Sequence, residues 1–294
     1  MKKIPFFILG MVISLFAEEL ITPIPVETII NKDKVILGKT LFLDTRLSKD
    51  NTISCGSCHI LEDGGDDNLP VSFGVNGKQG TLNSPTVYNA KFNFLQFWDG
   101  RAKNLKEQAV GPIHNPVEMD ANFPMILAKL KKDSKYTRLF GKVYRDGITP
   151  NNIIDAIVAF EETLTTPNSR FDRYLKKENT LSKEEIAGYK LFKEYGCISC
   201  HNGVNIGGNV FQKIGIISPF QSKNHTIVHT LKVPTLRNIS KTAPYLHDGS
   251  IKNLSDAVKV MFSLQLGVEA SQKEIDLIVS FLKTLDGEIP STIK

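Results

Sequence analysis

Apolar residues recur at helical spacing along much of this chain, and the clearest stripes come as a pair. Ile275, Ile278, Val279 and Leu282 fall on one face of a predicted helix, and the segment from about Asn152 to Leu164 carries the same stripe. Ser271 with Glu274 forms a capping box at the start of the last helix. Ser182 with Glu185 does the same for a helix that leads into Cys197. Strand signals are short and scattered. The pattern predicts an all-α fold with these stripes as core faces.

The pairing of stripes extends to a repeat of the whole pattern. Gly38-x-x-x-Phe42 recurs as Gly188-x-x-x-Phe192, and Pro85-Thr86-x-x-Asn89 as Pro234-Thr235-x-x-Asn238. Asp99-Gly100-x-x-Lys103-Asn104-Leu105 recurs as Asp248-Gly249-x-x-Lys252-Asn253-Leu254. The segments 154–164 and 275–285 share seven of eleven residues. Landmarks repeated in one order indicate a tandem duplication. The boundary falls in Thr165 to Thr180, a stretch with Pro167, Asn168, Ser169 and Asn179. Residues 18–166 and 167–294 are the two expected domains, consistent with a length of 294 residues. Residues 64–80, rich in glycine, form a long loop of the kind that tends to carry function.

Met1-Lys2-Lys3 followed by the apolar run Ile4 to Phe16 reads as a signal peptide over residues 1–17. That run is shorter than the roughly twenty residues a membrane span needs, and no later stretch is a candidate. Its removal takes the net charge from +5 to +3. The absence of a basic run or an aromatic-interleaved basic patch argues against nucleic acid as a partner.

Chemistry enters with the four cysteines. Cys55-Gly56-Ser57-Cys58-His59 recurs as Cys197-Ile198-Ser199-Cys200-His201, and the two motifs use every cysteine in the chain. Cys-x-x-Cys-His is the attachment signature of a c-type haem, with a thioether from each cysteine and the adjacent His as proximal iron ligand. A shared zinc site would bring the pairs closer in sequence. A redox dithiol does not need the His twice, and a disulfide framework suits smaller domains. Two covalent c-type haems are therefore expected, one per domain, and haem attachment places the chain outside the cytoplasm, in a Gram-negative periplasm.

The duplication is most informative where it fails. Met261 stands seven residues after Leu254, whereas Pro112 stands seven after Leu105. Met is a common second axial ligand that raises haem potential, and proline cannot ligate iron. Haem two thus reads as an electron-transfer centre and haem one as an open site, with Met119 and Met125 as alternative ligands for the latter. Gln108, His114 and Glu118 occupy the loop that replaces the Met region, where an open haem calls for acid–base groups.

These residues resemble the bacterial di-haem cytochrome c peroxidases over nearly the whole mature chain. The resemblance rests on Asn83-Ser84-Pro85-Thr86, Gln96-Phe97-Trp98-Asp99-Gly100-Arg101, Gly111-Pro112, Val117-Glu118-Met119, Val233 to Asn238 and Thr242 to Gly249. It implies two tandem class-I cytochrome c-like domains and the reduction of hydrogen peroxide to water, with electrons from a small soluble cytochrome c or cupredoxin. It further implies Glu118 as distal acid–base residue, Gln108 as its polar neighbour, Trp98 between the haems, and Met261 on haem two. Asn83, Thr242 and Pro244 match positions that hold a calcium ion between the domains. Family members commonly form a homodimer, although no stretch here identifies an interface.

One position departs from the family. Many members carry a His sixteen residues after the first proximal His, in the loop that closes over haem one, and here that residue is Val75. An aliphatic side chain cannot cap iron, so haem one is expected to be open without prior reduction of haem two. His114 is the candidate substitute ligand. Two other functions compete: a di-haem electron carrier, against which Pro112 speaks, and a di-haem enzyme oxidising a protein substrate, which has Tyr where Met261 stands. His225 and His229 read as surface residues.

Overall fold

The computed structural model describes residues 19–26, 31–222 and 230–293. The expected signal peptide, His225 and His229 lie outside the described residues. The first half contains α1 (Lys32–Phe42), α2 (Cys55–Cys58), α3 (Leu105–His114), α4 (Phe123–Leu130), α5 (Ser134–Val143) and α6 (Pro150–Glu161). The second contains α7 (Arg170–Leu175), α8 (Lys183–Glu194), β1 (Phe211–Gln212), β2 (Leu231–Lys232), α9 (Leu254–Met261) and α10 (Gln272–Leu282). The strands make one antiparallel pair, with Phe211 opposite Lys232.

Local chemistry accounts for the helix starts. Ser182 Oγ accepts from Glu185 N while the Glu185 carboxylate accepts from Ser182 N, and Ser271 with Glu274 repeats the exchange. The helix expected from Asn152 begins earlier, because Thr149 caps it and Pro150 fits its first turn. It ends at Glu161, before the expected Leu164.

Each domain is built on one crossing of two helices, and glycine makes the crossing close. A β-carbon on Gly38 would stand 2.0 Å from the Ala156 carbonyl oxygen, so α1 lies directly on α6. A β-carbon on Gly188 would stand 1.9 Å from the Leu277 carbonyl oxygen, so α8 lies on α10 in the same way. Phe42 meets Phe160 at 5.3 Å between ring centroids, and Phe192 meets Phe281 at 5.2 Å. Two apolar clusters form around these pairs, each built mainly from one half of the chain.

The halves meet at the ends of the repeat. Asn89 and Asn238, both left-handed in backbone, donate from Nδ2 to the buried Thr166 hydroxyl at 2.8 and 2.9 Å. Both chain ends cross the boundary, which a division at residue 166 did not foresee. Ile21 packs in the second cluster, Gly203 N donates to Leu20 O, and Arg237 Nη2 donates to Thr22 O. In return Ile293 packs against the first cluster, and Lys39 Nζ donates to its carbonyl at 2.8 Å. Residues 19–26 therefore belong physically with the C-terminal half, held there by burial and main-chain bonds that periodicity does not reveal.

One ion pair anchors that strap. Arg237 Nη1 lies 2.6 Å from Asp172 Oδ1, and both side chains are wholly buried. Arg237 also donates to the carbonyls of Val204 and Thr22, and Ile24 N donates to Asp172. A buried pair needs such added hydrogen bonds to offset its desolvation. No described helix is long and apolar enough to cross a membrane.

Candidate functional site

Both cysteine motifs fold as a single tight turn that ends on the histidine. His59 N donates to Cys55 O at 3.0 Å, and His201 N donates to Cys197 O at 3.0 Å. Each imidazole lies near its repeat phenylalanine, Phe42 at 6.4 Å and Phe192 at 6.5 Å between ring centroids. His59 Nδ1 sits 3.2 Å from the Gly65 carbonyl, an arrangement that leaves Nε2 for a metal. His201 Nδ1 makes no hydrogen bond, although the carbonyls of Ile206 and Pro234 lie beside it. Burial lowers the pKa of His59 and takes that of His201 down to about 4, so both rings are neutral near pH 7, the ligating form. Burial pushes the Cys58 and Cys197 thiols up to about 11 and Cys55 higher still. Raised thiols are poor nucleophiles in a redox exchange, which argues against a thioredoxin-like dithiol.

A cavity of about 430 Å³ opens beside the second motif. Cys197, Cys200 and His201 line it together with Met261, the last residue of α9, and apolar residues such as Leu236 and Val258. Two cysteines, a neutral histidine and a thioether on one apolar cavity are a donor set that fits a covalent haem. The cavity reaches the seam between the halves, where Trp98 also lines it. Trp98 Nε1 donates to Asn83 O at 2.9 Å, and its ring stands 6.4 Å from that of His247. Lys232 is a charge the sequence did not single out. It lines the same cavity, is 6% exposed, and has no ion pair among the described residues. Burial lowers its pKa to about 8.

At the first motif the Met is missing and a carboxylate stands in the following turn. α3 carries Gln108 half-buried, runs through Pro112 and ends at His114. Glu118 lies beyond it, close enough to Cys58 to raise the thiol pKa electrostatically. Asn115 Nδ2 donates to Glu118 Oε1 at 2.6 Å. Burial raises the Glu118 pKa, against the Asn115 hydrogen bond and the nearby Arg101, which lower it. Asn115 was missed in the sequence, although its place three residues before Glu118 was a usable signal.

The loop with Val75 clamps this turn. Val75 is wholly buried, and its N–H donates to the Glu118 carbonyl at 2.8 Å. A β-carbon on Gly74 would stand 2.0 Å from the Val117 carbonyl oxygen. His114 turns outward: it is exposed, sits 3.2 Å from Ala121 O through Nδ1, and packs edge-on against Phe123. Its case as a substitute ligand is weakened accordingly. Met119 is a core residue of the first cluster and Met125 packs against it, which accounts for both as filler.

Asn83, Thr242 and Pro244 all line the seam end of the cavity. Asn83 N donates to His247 O, which ties the two halves there. Asp66 lines the same stretch, 1% exposed, and neither carboxylate oxygen makes a hydrogen bond. An orphaned buried carboxylate on the same cavity wall as the Asn83 amide, with the Lys241 carbonyl close by, fits a hard cation.

Residues 32–180 match the family described as di-haem cytochrome c peroxidase, and residues 186–286 match cytochrome c. The chain is 46% identical to cytochrome c551 peroxidase of Nitrosomonas europaea, over 93% of this chain and 86% of that protein. It is 43% identical to cytochrome c peroxidase Ccp of Escherichia coli, over 92% of this chain and 61% of that protein's length. Among solved structures it resembles a MauG-like protein associated with microbial copper homeostasis, with a TM-score of 0.79, 27% identity, and 93% and 94% coverage. The chain belongs to the di-haem cytochrome c peroxidase family, with two cytochrome c-like helical domains.

Proposed function

We propose that this chain reduces hydrogen peroxide to water in the periplasm, with electrons from a small soluble cytochrome c or cupredoxin. The observation that carries the reading is the inequality of the two sites. Met261 shares the second cavity with His201, while its counterpart Pro112 offers no donor and is followed by the half-buried Glu118. Two haems, attached through Cys55 with Cys58 and Cys197 with Cys200 and held by His59 and His201, would supply the redox equivalents, and the one held by His59 would supply the metal that binds peroxide.

The chain's own groups do the rest. Glu118 takes a proton from peroxide and returns it to the departing oxygen, with Gln108 as polar neighbour. Asn115 holds the Glu118 carboxylate by its Oε1 and opposes the rise in pKa that burial causes. Trp98, held by its bond to the Asn83 carbonyl, is the residue this reading assigns to the electron path between the two haem sites. Met261 would hold the second haem iron through its thioether, and Lys232, on the same cavity wall, would offer an ammonium to a propionate. A calcium ion bound by Asn83, Thr242 and Pro244 would brace the seam.

Val75 leaves haem one without a capping side chain, so turnover does not await reduction of haem two. The test is peroxide-dependent oxidation of a reduced small cytochrome c by fully oxidised enzyme, beside a sample with haem two reduced beforehand. Equal turnover is expected. Turnover only after reduction keeps the peroxidase and removes the ungated mechanism. No turnover in either overturns the reading in favour of an electron carrier.

A further inference from the structure

Asp66 sits in an unusual position for a carboxylate. It lies seven residues after His59, on a turn whose backbone is fixed by Ile60 N donating to Asp66 O at 3.0 Å. The side chain is 1% exposed, neither oxygen makes a hydrogen bond, and no cationic side chain offsets it. A buried carboxylate without a partner is costly, and native structures accept one where a ligand or ion completes it.

One oxygen from the other half of the chain, the Lys241 carbonyl, lies close by. Gly64, at φ +78°, has no β-carbon, and that space lets the Lys241 carbonyl approach. The point where a Gly64 β-carbon would stand is 2.7 Å from Asp66 Oδ1 and 2.4 Å from the Lys241 carbonyl oxygen. The chain continues from Lys241 directly into Thr242 and Pro244, which share the cavity wall with Asp66 and Asn83. The available donors are a carboxylate, a side-chain amide oxygen and backbone carbonyls. That is a hard-oxygen set, suited to calcium rather than to a transition metal.

We propose that Asp66 is the anionic ligand of a calcium ion at the seam between the domains, shared with Asn83, Thr242 and Pro244. The neutral donors alone would hold the ion through dipoles. With the ion bound, Asp66 adds a negative charge in a site shielded from water, and ligand charge is a main determinant of calcium affinity. The consequence is an ion retained through purification rather than exchanging with solvent, tying the turn behind His59 to the segment 241–244. The inference rests on the calcium site of the proposed reading, and its readouts do not depend on peroxide turnover.

The test uses the full holoprotein, stripped with a calcium chelator and titrated with calcium by calorimetry, wild type beside Asp66→Asn. The amide keeps the shape and removes the charge. Asp66→Asn is expected to weaken calcium binding at least about tenfold and to lose most of the calcium-dependent rise in melting temperature. Asp66→Ser gives the same reading should the amide variant fail to fold. Equal affinity in wild type and in the folded variant would overturn the proposal, and so would a wild type that binds no calcium. Either result leaves the peroxidase reading to stand or fall on its own assay.

Discussion

Asn115 offers the sharpest test of how the distal carboxylate is set. Its Nδ2 lies 2.6 Å from Glu118 Oε1, a short, charge-assisted geometry. A hydrogen bond to a charged group contributes about 1.5–3 kcal/mol. Glu118 is half-buried, so water replaces part of what is lost, and the lower end applies. About 1.5 kcal/mol corresponds to about one pH unit. The sign follows from the form that is held. Asn115 stabilises the carboxylate and lowers a pKa that burial raises; removing it lets the pKa climb further. Glu118 has to be ionised to accept the first proton, so activity falls as pH drops through its pKa.

Asn115→Ser is therefore expected to move the acid limb of kcat/KM up by about one pH unit, with the plateau at higher pH little changed. Asn115→Asp keeps the oxygen that accepts from Val117 N at 3.0 Å but puts a second carboxylate against Glu118, so its limb moves further up. The assay is peroxide-dependent oxidation of a reduced small cytochrome c across the pH range, with haem spectra as a check on folding. A uniform loss of rate with an unmoved limb would refute the argument. So would the order Ser above Asp.

Two further outcomes are specific. In Gly188→Ala the added β-carbon meets the Leu277 carbonyl at 1.9 Å, a backbone atom that yields only if α8 and α10 separate. A loss of about 3 kcal/mol is expected, the upper end for overpacking, and an unfolding midpoint in urea within experimental error of wild type would contradict it. Lys232→Met removes a cation from the second cavity and is expected to lower the potential of haem two alone. At a separation of roughly 10 Å and an effective dielectric of about 20, the change is about 1.7 kcal/mol, on the order of 70 mV. Spectroelectrochemical titration reads both haems, and an unshifted second potential would remove Lys232 from that role.

What the sequence disclosed, and what it withheld, divides along a physical line. The repeat landmarks were legible because each serves a local geometric need that recurs. Gly38 and Gly188 permit the same helix crossing, and Phe97 and Leu246 take the same left-handed backbone at φ 68° and 70° before Gly100 and Gly249. The haem motifs were legible because thioether attachment fixes a spacing. The residues that went unseen owe their character to distant parts of the chain. Asp66 stands among Glu62, Asp63 and Asp67, a run that reads as a solvated acidic loop until the fold buries Asp66 beside the Lys241 carbonyl. Lys232 is an ordinary strand lysine until the cavity buries it.

The exchange of chain ends follows the same logic and bears on stability. Residues 19–26 reach the second cluster through Ile21 and through main-chain groups that meet Gly203, Asp172 and Arg237. Residues 291–293 reach the first through Ile293, the Thr292 hydroxyl and the Ile293 carbonyl. Neither end has the length or the periodicity to announce a partner. Each strap is held by the half it does not adjoin in sequence, so neither half retains all its contacts when separated. The buried Arg237–Asp172 pair is the tightest of these dependencies, because its guanidinium also needs the Thr22 carbonyl from the far end of the chain. A cut between the repeats at Pro167 would therefore strip a buried cation of one of its acceptors. The two halves fold as cytochrome c-like domains by pattern, yet by their hydrogen bonds they complete one another.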